Sequence, residues 1–370
     1  MNIVHMGSKY MIYGNDLTVG EKLPAKTYTV MFEKMSGFSL SEAHDIKANE
    51  DEIYGGRLNK TEKVLKSFET FDRNLGIILS GDKGIGKSLF ARILCEEAIK
   101  KGYPVVIVNE YIPGIASFLE SIEQEIVVLF DEFDKTFVDP DSEDNTAPQT
   151  EMLSLFDGIS TSKKMFIITC NKIKKLSDYM INRPGRFHYH FRFDYPTADE
   201  IEVYLRDKID EKYYPEIKEV VNFSYKVKLN YDCLRAIAFE LNSGEKFSEA
   251  IKDLNIVNVE DRHYSIALHF KEGAVFTKES VVLDFFSPSK GNFIELRDKE
   301  GKEYLGIVNY DLTRCIFGEN GNFILPADAF TVNYDDYYND FKKEVAATKK
   351  MTVDHLEIKQ VPSESLHFMV

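Results

Sequence analysis

The feature that most constrains this chain is the octapeptide Gly81-Asp82-Lys83-Gly84-Ile85-Gly86-Lys87-Ser88, which fits G-x-x-x-x-G-K-[ST] without a gap. It follows an apolar run, Gly76-Ile-Ile-Leu79, that reads as a strand. It opens a segment from Ser88 onward that reads as a helix. Strand, loop and helix in that order are the context the motif requires. The glycines let successive N–H groups turn inward around an anion without Cβ clashes. The helix N-terminus adds a partial positive charge. Lys87 is then placed to reach the β- and γ-phosphates of a nucleotide, and the Ser88 hydroxyl to ligate Mg²⁺. The candidate nucleotide-binding set is therefore Gly81, Asp82, Lys83, Gly84, Ile85, Gly86, Lys87 and Ser88, with Leu89 behind them.

The surroundings agree. Val105-Val-Ile-Val108, Ile126-Val-Val-Leu-Phe130 and Met165-Phe-Ile-Ile168 are short, uncharged and rich in β-branched residues. Such runs read as strands buried on both faces, in a parallel sheet covered by helices. A fifth run, His190-Phe-Arg-Phe193, is more polar and suits an edge strand. The intervening segments, such as Leu89–Lys101, are long enough for crossover helices. The expected fold class is α/β, doubly wound, with a five-stranded parallel sheet.

Two strand ends carry chemistry. Phe130 is followed by Asp131 and Glu132, which places two carboxylates at the sheet edge where open α/β sheets bind ligands. Asp131 is the candidate to hold Mg²⁺ through its water shell, with Ser88 as the other metal-binding residue. Glu132 is the candidate general base. The run Met165–Cys170 ends in Asn171, a residue able to position water against a γ-phosphate, although an Asn at a strand end also forms turns.

Together with Asn182-Arg-Pro-Gly-Arg186-Phe, these motifs resemble an AAA+ ATPase, over roughly Ile53–Leu254. The resemblance implies a P-loop core, a small helical lid after Tyr195, and ATP and Mg²⁺ as ligands. It also implies roles: Glu132 as catalytic glutamate, Asn171 as sensor 1, Arg183 and Arg186 as arginine fingers reaching a neighbour's nucleotide. Tyr54 and Gly55 lie about where such proteins cover the adenine, or form a plain turn. Arg235, in Asp232-Cys-Leu-Arg235, is either a sensor-2 arginine or a surface helix residue. Compact single-module proteins of this kind are similar to some encoded by bacteriophages, which would place the chain in a bacterial host cytoplasm. Fingers supplied by a neighbour imply self-association as a ring or helical homo-oligomer, a hexamer by resemblance. The expected function is remodelling of a macromolecular client. Tyr111-Ile-Pro-Gly114 fits an aromatic pore loop that grips polypeptide, or ordinary packing. The basic run Lys172-Ile-Lys-Lys175 and Arg235 lean toward a DNA-linked loader, and a slow nucleotide-dependent assembly protein is the third reading.

Outside that region the expected organisation is an N-terminal β-containing segment (1–50), the core (51–196), the lid (197–255) and a β-rich domain with a tail (256–370). Alternating pieces such as Tyr264-Ser-Ile-Ala-Leu-His-Phe270 carry the last assignment. One helix is expected within Tyr334–Lys350, and the last dozen or so residues read as loosely held. Lys and Arg total 46 against 61 Asp and Glu, for a net charge of −15. Bulk attraction to nucleic acid is thereby disfavoured, though a local basic stripe is not. Cys95, Cys170, Cys233 and Cys315 are far apart, with neither metal-ligand nor disulfide-framework spacing, and suit free thiols in a reducing cytosol. No run approaches the ~18 apolar residues of a spanning helix, so no membrane partner is expected.

Overall fold

The uncharged runs condense into neighbouring strands of one sheet because their backbones pair internally while both faces bury apolar side chains. The computed structural model describes residues 1–44, 46, 57–138, 147–157, 162–256, 263–283, 285, 293–297, 301, 304–318, 322–334 and 342–361. The chain divides into two units, Met1–Glu211 with Leu229–Ser243, and Lys212–Lys228 with Gly244–Val370.

The first unit begins with an antiparallel hairpin, β1 (Asn2–Met6) and β2 (Lys9–Tyr13). Then follow β3 (Thr27–Glu33), β4 (Gly37–Glu42), α1 (Arg57–Thr70), β5 (Leu75–Ser80), α2 (Lys87–Lys100), β6 (Val105–Val108), α3 (Ile115–Glu120) and β7 (Ile126–Phe130). The short helices α4 (Phe133–Thr136), α5 (Ala147–Glu151) and α6 (Leu153–Asp157) lead to β8 (Lys164–Cys170) and β9 (Phe187–Arg192). Of the helices after β9, α7 (Ala198–Lys208) belongs to the first unit and α8 (Tyr214–Ser224) to the second. Likewise α9 (Tyr231–Asn242) belongs to the first and α10 (Phe247–Asp253) to the second.

The sheet order is β4-β3-β6-β7-β8-β5-β9. The five expected strands are present, β9 is the edge, and all pair in parallel. The count of five is nevertheless too small. β3, the Thr27–Phe32 run, pairs in parallel with β6, and β4 pairs antiparallel with β3, so seven strands form the sheet. Strand alternation divides the core. Ile126, Val128 and Phe130 join the cluster that includes Leu119, Phe133 and Phe156, whereas Val127 and Leu129 join the one that includes Phe68, Phe90 and Leu94.

The second unit is β-rich. β10 (His263–Phe270), β11 (Val275–Val282), β12 (Phe293–Arg297), β13 (Tyr304–Tyr310), β14 (Ile316–Phe317), β15 (Phe323–Pro326) and β16 (Phe330–Tyr334) are followed by α11 (Lys342–Thr348) and β17 (Val353–Gln360). They form two antiparallel sheets, β11-β10-β17-β15-β14 and β12-β13-β16, around one apolar core. The expected helix is α11. Beyond it lies β17, a strand that the sequence reading does not single out. β17 pairs with β10 on one side and β15 on the other, burying Leu356 and Ile358 completely. Residues 362–370 lie outside the described residues.

Candidate active site

Neighbouring strands β7, β8 and β5 run in parallel, so the residues that follow them emerge at one edge of the sheet. Asp131 and Glu132 follow β7, Asn171 follows β8, and the Gly81–Ser88 loop follows β5. Topology alone therefore gathers groups separated by up to 90 residues of sequence. Gly86, with φ 90°, is the residue from which α2 starts. Gly81, with φ 141°, lies so close to the chain after β9 that an added Cβ would sit 2.2 Å from the Phe193 carbonyl oxygen. Only glycine suits that approach.

Lys87 is buried and donates from Nζ to the carbonyls of Gly81 (2.8 Å) and Asp82 (2.6 Å) and to Oδ1 of Asn171 (3.0 Å). Burial pulls its ammonium below the ordinary value, while Cys170 and the carboxylates of Asp82, Asp134 and Asp131 act in the opposite sense. Ser88 Oγ lies 3.3 Å from Asp131 Oδ1. Two hard oxygen donors side by side are the ligand chemistry that Mg²⁺ takes.

Glu132 has φ 50°, a left-handed conformation that costs a non-glycine residue of order 1–3 kcal/mol. Its backbone N–H donates to Thr169 Oγ1 at 2.8 Å, and Thr169 Oγ1 donates to Asp131 Oδ1 at 2.6 Å. One hydroxyl thus fixes both carboxylate-bearing residues. The Glu132 side chain is bonded to Lys135 and accepts from Asn171 Nδ2 at 3.4 Å. The Lys135 bond, more than that from Asn171, holds its carboxyl below the usual carboxylate range, against the opposing effect of burial. Asn171 therefore bridges Lys87 and Glu132. Its own backbone is held by buried Asp134, whose two oxygens accept the N–H groups of Asn171 and Lys172, each at 3.1 Å.

Thr169 and Asp134 were not among the residues the sequence singled out. A Thr two positions before a strand-end Asn has the alternation that puts it on the same face, and that was the available signal. Asp134 follows Asp131 and Glu132 at a spacing that does not distinguish a buried acid from a solvated one.

The two arginines of the Asn182–Phe187 turn differ. Arg183 is exposed, its guanidinium 5.4 Å from the centre of the Tyr179 ring. Arg186 is largely covered and makes a two-pronged ion pair with Asp157, with a further bond to the Tyr179 carbonyl at 2.6 Å. Arg235 is exposed on α9 and lies 3.3 Å from Asp232. Tyr54 and Gly55 lie outside the described residues. Tyr111 is half-buried, edge-on to Phe137, with its hydroxyl bonded to Glu151. Of its two sequence readings, packing is the one this arrangement satisfies. Lys172, Lys174 and Lys175 are exposed around a single 3₁₀ turn. Among the described residues no group of His, Cys, Asp or Glu forms a metal cluster, and no helix is long and apolar enough to cross a membrane.

Residues 77–195 match the family described as ATPase family associated with various cellular activities (AAA). The chain is 24% identical over 156 residues to a proteasome-associated ATPase of Acidothermus cellulolyticus, covering 34% of this chain and 26% of that protein. A proteasome-associated ATPase of Catenulispora acidiphila gives the same figures. An AAA domain-containing ATPase family protein of Arabidopsis thaliana is 26% identical over 141 residues, 34% of this chain and 12% of its own length. The chain thus spans about a quarter or less of these relatives, and the family match at residues 77–195 includes the Gly81–Ser88 loop, Asp131, Glu132 and Asn171.

Proposed function

We propose, from the premise that this chain belongs to the AAA+ ATPase superfamily, that it is an Mg²⁺-dependent ATP hydrolase. It acts as a ring or helical homo-oligomer that couples turnover to remodelling of a macromolecular client. The observation that carries this reading is the convergence of Lys87, Ser88, Asp131, Glu132 and Asn171 at one sheet edge.

Lys87 neutralises phosphate charge in the bound state. Ser88 and Asp131 would hold Mg²⁺, which supplies charge neutralisation on the phosphates when bound. Glu132, kept ionised by Lys135 and Asn171, takes a proton from the attacking water. Asn171 orients that water while tying Lys87 to Glu132. Arg183, exposed on its turn, is the arginine we assign to the nucleotide of a neighbouring subunit. Arg186, held by Asp157, shapes the turn that presents it. The net charge of −15 favours a polypeptide client over nucleic acid, as do relatives named for their association with the proteasome.

The test pairs two variants. Lys87→Ala abolishes ATP binding, whereas Glu132→Gln binds ATP, remains assembled and does not hydrolyse it. Wild-type turnover by Glu132→Gln would refute the catalytic assignment. Stimulation of the wild type by an unfolded polypeptide supports the client class. Stimulation by single- or double-stranded DNA instead would make it a DNA-linked switch, and stimulation by neither a slow assembly protein.

A further inference from the structure

Helix α9 begins against the phosphate loop, and its first contact uses one side chain in two directions. Asn230 Oδ1 accepts the Cys233 N–H at 2.8 Å, which caps the helix. Asn230 Nδ2 donates to the Lys83 carbonyl at 3.1 Å. The next residue adds a second bond, from the Tyr231 N–H to the Gly84 carbonyl at 3.0 Å. Gly84 has φ +72°, and a Cβ added there would lie 2.5 Å from Asn230 Nδ2 and 2.7 Å from Asp232 Oδ2.

We propose that Asn230 is a positioning residue for the nucleotide site, a latch that fixes the Lys83–Gly84 turn of the phosphate loop from helix α9. The inference rests on the reading of Gly81–Ser88 as that site. Across a trans peptide the C=O and N–H point in opposite senses. Drawing the Lys83 and Gly84 carbonyls toward α9 therefore turns the N–H groups of Gly84 and Ile85 away from it. A phosphate-cradling loop depends on such fixed amides. The latch has a firm base, because α9 buries Leu234, Ile237 and Leu241 and sets the Tyr231 ring against Tyr204 of α7 at 5.5 Å. The chemistry also explains the residue type. Ser, Asp and Asn all cap a helix well, but Asp lacks a donor and Ser has a single oxygen for both tasks, whereas Asn accepts at Oδ1 and donates from a separate, diverging Nδ2.

That asymmetry supplies the experiment. In the full chain, Asn230→Ser keeps a neutral cap and loses the amide donor, whereas Asn230→Ala loses both. The probes are Mg²⁺ with fluorescent mant-ATP and mant-ADP, beside thermal melts and steady-state ATPase. Asn230→Ser is expected to melt like the wild type, to bind both nucleotides about 2- to 5-fold more weakly, the loss expected for one exposed hydrogen bond. Its KM should rise in step while kcat stays nearly unchanged. Asn230→Ala should show the same weakening with a lower melting temperature. Wild-type affinity in Asn230→Ser, or a fall in kcat with KM retained, overturns the latch and leaves Asn230 a helix cap. Lys87→Ala run alongside separates the two levels. If it too binds normally, the nucleotide-site reading fails; if it alone loses binding, only the latch fails.

Discussion

Thr169→Val is the most informative single substitution, because it removes chemistry without removing volume. Valine keeps the shape of threonine at a position that is 1% exposed, so no cavity opens. Two hydrogen bonds disappear, the 2.6 Å bond to the Asp131 carboxylate and the 2.8 Å bond from the Glu132 N–H. A bond to a charged acceptor contributes about 1.5–3 kcal/mol, and stranding a backbone N–H costs about 1–3 kcal/mol. The site is only partly buried and Asp131 keeps its Ser88 neighbour, so the lower halves of these ranges apply, a loss of about 2.5–4 kcal/mol. The Glu132 N–H bond also helps to hold that residue at φ 50°, a conformation with its own cost. Once released, Glu132 relaxes toward ordinary backbone angles and its carboxylate leaves the site. If ~1.4–2.7 kcal/mol of this reaches the transition state, kcat falls about 10- to 100-fold. Nucleotide affinity should change little, because Lys87 is held by Gly81, Asp82 and Asn171 and not by Thr169. Urea denaturation, mant-ADP titration and steady-state ATPase together read all three quantities. Thr169→Ser should restore kcat. A Thr169→Val enzyme with kcat within about twofold of the wild type would refute the reasoning, whatever its stability.

The finger assignment predicts that Arg183→Ala binds ATP normally and hydrolyses it poorly, and that mixing it with Glu132→Gln restores some turnover at interfaces pairing an intact Glu132 with an intact Arg183. Arg186→Ala should instead lower the melting temperature, because it removes the covered guanidinium that ties Asp157 to the Tyr179 carbonyl; recovery on mixing with Arg186→Ala but not with Arg183→Ala would reverse the two roles. For Tyr111, the packing against Phe137 predicts that Tyr111→Ala costs about 1–3 kcal/mol in urea denaturation while Tyr111→Phe costs about 0.5–1 kcal/mol, through the lost bond to Glu151; unchanged stability in Tyr111→Ala would return the residue to the surface-loop reading. In the second unit, Leu356→Ala should cost about 2–5 kcal/mol and Lys359→Ala, exposed on the same strand, less than about 1 kcal/mol, with equal effects telling against a structural β17.

Residues that make chemical demands at fixed local spacing were legible in the sequence. The phosphate loop was readable because only glycines, a lysine and a hydroxyl in that order can do its work. The strands were readable because burial on both faces leaves no room for charge. Less legible were residues whose importance depends on what the fold sets beside them. Thr27–Phe32 read as a strand, but its membership of the main sheet depends on pairing with Val105–Ile107, 78 residues later in the register. Val353–Gln360 alternates buried and exposed positions, yet its charged outer residues, Asp354, Glu357 and Lys359, give it the polarity of a tail. Its place between β10 and β15 is set by partners about 90 and 30 residues away.

The same distinction holds within the site and explains its division of labour. Lys87, Ser88, Asp131, Glu132 and Asn171 are the groups that would meet nucleotide, metal or water, so their residue types are dictated by the reaction. Thr169, Asp134 and Asn230 meet only protein atoms, and a hydrogen bond to a backbone N–H or carbonyl can come from several residue types at several places. Their identities follow from geometry: a hydroxyl able to accept from Glu132 while donating to Asp131, a carboxylate spanning two successive N–H groups, an amide that both caps and donates. Each of the three fixes a backbone segment that carries a reacting group, and Glu132 stands in a left-handed conformation that such support sustains. Substituting the first set should therefore abolish binding or chemistry outright. Substituting the second should shift the precision of the site by a few kcal/mol at most, a difference that graded kinetics on near-isosteric variants can resolve and that alanine scanning alone would blur.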